Sequence, residues 1–153
     1  MTTTASNIAK YIISEFQEIG DLITNMKVQK LLYYVQGWHL GLYQEPAFDA
    51  DLEAWVHGPV QPEVYQEYKE YRWHPITCKI EKPNLNQALI NHIEQVLQSY
   101  GGETAYMLEL MSHGELPWME ARGDLPQDAE CQNIISPMTM QNYFANLNQN
   151  HGK

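Results

Sequence analysis

Residues 24–43, TNMKVQKLLYYVQGWHLGLY, constrain the fold more than any other part of the chain. Val28, Leu31, Leu32, Val35, His39 and Leu42 recur at helical spacing, which predicts one long helix with these residues on its core face. Thr24 or Asn25 can accept from the free amides of its first turn. Gly37 and Gly41 fall one turn apart on another side. Each costs up to about 1 kcal/mol against alanine in a helix interior, so their presence predicts close approach of another backbone.

The flanking segments follow from the same reasoning. Residues 6–19 place Ile8, Ile12, Phe16 and Ile19 on one helical face, and Gly20-Asp21 stops that helix. After Gln44-Glu45-Pro46 the period changes. Ala47-Phe48 and residues 52–56 read as short strands around Asp49-Ala50-Asp51, a small hairpin. His57-Gly58-Pro59 turns the chain, and Pro62 opens a helix, where its missing N–H costs nothing. One more short strand is expected at residues 76–80. Asn84 or Asn86 caps a helix ending at Tyr100 before Gly101-Gly102, and another helix covers residues 103–112. Residues 116–122 form a single helical turn, residues 123–132 a loop, and Ser136-Pro137 starts a last helix. The fold class is therefore mainly α (α+β). We expect a single compact domain at residues 6–147, with about six helices and one small antiparallel hairpin or short sheet. Residues 148–153 are expected to fray.

Composition narrows the function. A chain of 153 residues with 44% hydrophobic content supports one domain with its own core. No apolar run approaches the roughly 20 residues needed to cross a bilayer, and the N-terminus lacks a signal-peptide pattern. A cytoplasmic location is expected. Cys78 and Cys131 stand apart, which suits reduced thiols rather than a disulfide framework or zinc knuckle. The net charge of −10 disfavours direct nucleic-acid binding and favours a basic protein partner.

Nothing in the chain is arranged as a Walker loop, a GxGxxG turn, a GxSxG elbow or a catalytic cysteine site, so no enzyme activity and no cofactor are expected. His57 and His113, with Glu63 and Glu115, are the one acid–base or metal set available. Zinc needs three or four ligands at suitable spacing, which is missing, so no metal is expected. His57 reads as a turn-shaping residue bonded to backbone, and His113 as a cap on the carbonyls of its helix. Aromatic residues crowd the region from Tyr33 to Trp73. Trp38 and Trp55 suit the core between helix and hairpin, while tyrosines suit contact with a partner. Lys27 and Lys30 can cover apolar surface or pair with a carboxylate such as Glu53. Lys30, Tyr33, Tyr34, Tyr65 and Tyr68 are the candidate partner-binding residues.

Three blocks carry a resemblance. They are Asn25 to Tyr34 (NMKVQKLLYY), Glu53 to Val60 (EAWVHGPV) followed by Pro62-Glu63-Val64-Tyr65, and Ser112-His113 with Glu115-Leu116-Pro117-Trp118. Ile135-Ser136 before Tyr143-Phe144 fits as well. Together they resemble the Panacea antitoxin domain, a family also described as phage-associated proteins and likened to a proteolytic-adaptor antitoxin. Leu31, Trp55, His57, Gly58, Pro59, His113, Pro117 and Trp118 are the motif residues expected to shape the fold. The resemblance implies an antitoxin that neutralises a nearby-encoded toxin by direct protein contact. The extra DNA-binding domain of some relatives has no counterpart here, so DNA autoregulation is not expected. Two alternatives are a proteolytic adaptor that delivers the toxin to a protease and a metal- or histidine-dependent hydrolase. Oligomeric state has no signature in the sequence.

Overall fold

The computed structural model describes residues 3–151. In it, seven α-helices accompany one two-stranded antiparallel sheet. Helix α1 (Ala5–Glu18) is capped by Thr4, and α2 (Asn25–Tyr43) by Thr24, whose hydroxyl accepts from the Lys27 amide at 3.2 Å. The strands are β1 (Glu53–Trp55) and β2 (Gly58–Val60). Next come α3 (Pro62–Tyr68), with a 3-10 turn at Lys69–Tyr71, and α4 (Gln87–Tyr100), capped by Asn86. Then follow α5 (Ala105–His113), α6 (Leu116–Arg122) and α7 (Pro137–His151). The mainly α architecture is as expected, and the single turn foreseen at residues 116–122 is a complete short helix. Residues 148–151, expected to fray, continue α7; the last two residues of that tail lie outside the described part.

Helix α2 is the axis of the molecule. It touches α1, α3, α4, α5, α7 and β2, so it is buried nearly all round rather than along one stripe. The expected core face is correct at Val28, Leu31, Leu32 and Val35, but His39 and Leu42 are only half-buried. The two glycines admit α7. A Cβ on Gly37 would collide with the Phe144 ring, and one on Gly41 would stand 2.8 Å from the Ala145 backbone nitrogen. Such overlap costs more than glycine's loss in helix propensity.

Two expected strands are absent because side chains take their backbone groups. Gln36 accepts from the Ala47 and Phe48 amides at 2.8 and 3.2 Å and donates to the Phe48 carbonyl at 2.9 Å. Gln17 donates to the Cys78 carbonyl and accepts from the Ile80 amide, both at 2.9 Å. These groups are satisfied without a ladder. The hairpin accordingly turns at Val56-His57 rather than at residues 49–51. Glu53 pairs with Val60 and Trp55 with Gly58, whose φ of +114° suits glycine. On the other edge, the Ala54 amide donates to the Asn133 carbonyl at 2.9 Å.

Candidate partner-binding site

The sequence blocks converge where α2, the hairpin, α5 and α6 meet. Tyr33 and Tyr34, adjacent on α2, both donate their hydroxyls to the Glu115 carboxylate, at 2.8 and 3.1 Å. Burial pushes the Glu115 carboxyl up to about 7, although the two tyrosine bonds pull it down. Burial and the nearby carboxylate hold both tyrosines well above the usual phenol range, so they remain donors. Tyr34 also stacks on Tyr100 at 3.9 Å.

Lys30 lies beneath the hairpin turn with 1% of its surface exposed. A Cβ on Gly58 would meet its Cε at 3.2 Å and the Ser112 Oγ at 3.1 Å. Lys30 Nζ and His113 Nε2 are buried and have no hydrogen-bond partner among the described residues. Burial lowers the Lys30 amine to about 8, opposed by the charge of Glu109. His113 is lowered first by burial, against the opposing effects of Glu109 and the Val56 backbone. Its ring stacks on Trp118 at 4.0 Å, and the Arg122 guanidinium lies 4.8 Å from the same indole.

These positions revise the expected contact surface. Tyr33 and Tyr34 are 0% exposed, and Tyr68 is buried as well. With Lys30 they form the interior and are not available to a partner in this conformation. Tyrosines suit contact with a partner, but here Glu115 supplies the acceptors that allow the α2 pair to be buried. Only Tyr65 remains half-exposed. Neither lysine pairs with Glu53: Lys27 donates to the Gly101 carbonyl at 2.7 Å, and Glu53 accepts from the Trp55 indole at 2.8 Å. His57 is exposed, with Nδ1 3.4 Å from Glu109, instead of bonding to backbone within its turn. His113 packs against Trp118 rather than capping α5. Leu31, Pro117 and Trp118 are buried, Gly58 and Pro59 form β2, and Trp55 is half-buried at the surface.

Trp55 and Tyr65 meet edge to face, with ring centres 4.9 Å apart. They form one wall of a groove of about 750 Å³, together with Met26, Val56 and His57. The loop carrying Asp128, Glu130, Cys131 and Gln132 completes the lining. Arg122 fixes that loop. Its buried guanidinium donates to the carbonyls of Ala54, Pro126 and Ala129 at 3.0, 2.8 and 2.6 Å. The sequence reading missed Arg122, Met26, Asp128 and Glu130. A partial signal was available for Arg122, four residues after Trp118 and so on the same helical face; the others meet only through the tertiary fold. Beyond the groove, α5 exposes Tyr106, Met107 and Leu110, the first at 67%. The His57–Glu109 contact joins the groove to α5.

The family described as "Antitoxin SocA-like, Panacea domain" matches residues 28–119. The chain belongs to this family. It is similar to Antitoxin SocA of Caulobacter vibrioides (strain NA1000 / CB15N), with 29% identity over 127 residues, covering 74% of this chain and 68% of that protein. No solved structure matches. The Panacea match takes in most of α2, the hairpin and α3 to α5, and ends within α6. It therefore includes Trp55 and Tyr65 of the groove and stops short of the acidic loop. No helix among the described residues is long and apolar enough to cross a membrane, and none of their His, Cys, Asp and Glu side chains cluster in threes as a metal site.

Proposed function

We propose that this chain neutralises a cognate protein toxin, encoded nearby, by binding it directly in the cytoplasm. The contact face comprises the Trp55–Tyr65 groove and the adjoining exposed side of α5. Membership of an antitoxin family supports the role. The observation that carries the choice of face is the set of large apolar side chains, Tyr106, Met107 and Leu110, left in water beside the groove. Exposed apolar groups beside a polar, aromatic-lined depression are the usual makeup of a protein-binding surface. The net charge of −10 favours encounter with a basic toxin. The chain acts by occupying the toxin's surface, without catalysis or a cofactor of its own.

Co-expression with the neighbouring gene's product tests this reading. Growth should be restored and the two proteins should copurify, and Leu110→Asp should abolish both while leaving the chain folded. Failure of the unaltered chain to rescue growth or to copurify would end the proposal. A toxin lifetime unchanged by the antitoxin is expected from occlusion; a shortened lifetime would move the role to delivery toward a protease.

A further inference from the structure

We propose that the groove receives an arginine side chain from the toxin, held between the Trp55–Tyr65 wall and the carboxylates of Asp128 and Glu130. The inference rests on direct toxin binding and specifies the chemistry of its central contact. Trp55 is fixed by its indole N–H bond to Glu53, at 2.8 Å, and by its edge-to-face contact with Tyr65. A positioned indole offers an electron-rich face that attracts a cation. Asp128 and Glu130 are both exposed and line the same groove. An arginine fits this combination because its planar guanidinium stacks on an aromatic ring while its N–H groups donate to carboxylates.

The remaining ionisable groups of the lining are His57 and Cys131. His57 sits beside the Glu109 carboxylate, so any positive charge it carries has an acidic neighbour. Arg122, the cation beneath the loop, has its guanidinium committed to backbone carbonyls. The acidic wall therefore contains no internal cation paired with Asp128 or Glu130 among the described residues. An incoming cation would supply that missing partner.

The test uses the full chain and two blocked tripeptides, acetyl-Ala-Arg-Ala-amide and its citrulline counterpart, which has the same shape without the charge. Titration is followed by NMR through the four indole N–H resonances. The arginine peptide should move the Trp55 signal and leave in place that of Trp38, whose indole N–H donates to the Tyr100 hydroxyl at 2.8 Å away from the groove, while citrulline should bind at least about tenfold more weakly. Asp128→Asn with Glu130→Gln should reduce arginine binding to the citrulline level without altering the rest of the spectrum. No movement of the Trp55 signal, equal binding of both peptides, or an unaffected double variant would overturn the proposal. Rescue of growth without arginine binding would remove this inference alone. Arginine binding without rescue would retain the pocket and remove the toxin-neutralising reading.

Discussion

Around α2, Tyr33 and Tyr34 turn their hydroxyls inward onto Glu115, whereas Trp55 and Tyr65 meet edge to face in the wall of an open groove. Both pairs are aromatic and both belong to sequence blocks that identify the family. They differ in what surrounds them. Helix α2 is packed by helices on several sides and by β2, so a polar group on it either finds an internal partner, as the two tyrosines do, or bears the cost of burial, as Lys30 does. The hairpin has one edge against residues 133–135 and leaves its turn in solvent. Aromatic content alone therefore does not tell a buried segment from an exposed one; the number of elements packed around it does.

The largest effect should come from Tyr34→Ala. It removes a buried ring stacked on Tyr100 and one of the two hydroxyls on Glu115. Loss of a buried aromatic ring typically costs about 3–5 kcal/mol, and chemical denaturation should show a loss in that range. A loss below about 1 kcal/mol would mean that the α2 tyrosines are not the interior they form here.

The next effect depends on pH. The Glu115 carboxyl is raised from 4.5 to about 7 in the folded chain, so the native state binds the extra proton between those values. Its stabilising contribution is complete below 4.5 and is lost as pH rises through about 7. The loss is on the order of 3 kcal/mol, from 1.36 kcal/mol per pKa unit. Glu115→Gln should abolish it. Urea titrations at about pH 5 and about pH 8 should therefore differ more for the unaltered chain than for the variant.

Lys30 provides a pH-dependent change of opposite sign. Its amine is lowered from 10.5 to about 8 and has no bonded partner among the described residues. The native state thus binds fewer protons than the unfolded chain between these values, and stability from this group rises with pH across that window. Lys30→Met should stabilise the fold by about 1–3 kcal/mol near neutral pH and should remove this rise. A destabilised variant would show that the ammonium, rather than its methylene stem, holds the hairpin turn.

These cases show what the sequence could reveal. Helix positions followed from apolar period and caps, and Gly37 with Gly41 correctly indicated a close backbone crossing, made by α7. The hairpin's position and the second strand did not, because Gln36 and Gln17 reach across the chain to take backbone groups that a ladder would have used. Nothing local distinguishes such glutamines from solvated ones. Similarly, the block around Tyr33, Tyr34 and Glu115 was visible as three separate motif residues, but their shared hydrogen bonds arise only when α2 meets the start of α6. The groove's acidic wall was the least legible part, since a polar loop gives no period and Arg122 fixes it through carbonyls, whose positions no side-chain pattern records.

Tyr65→Ala should have the smallest effect on the fold and thereby separate the two aromatic regions most clearly. Tyr65 is half-exposed, and its backbone carbonyl, which accepts from Asn25 at 3.1 Å, survives the substitution. Stability should fall by no more than about 1 kcal/mol. If Tyr65 supports Trp55 at the centre of the toxin interface, binding should weaken by about 2 kcal/mol or more, roughly thirtyfold. Denaturation and toxin affinity measured on the same preparation would show this split. A variant that loses both in proportion would place Tyr65 with the interior tyrosines, while one that keeps full affinity would move the contact away from the groove toward the exposed side of α5.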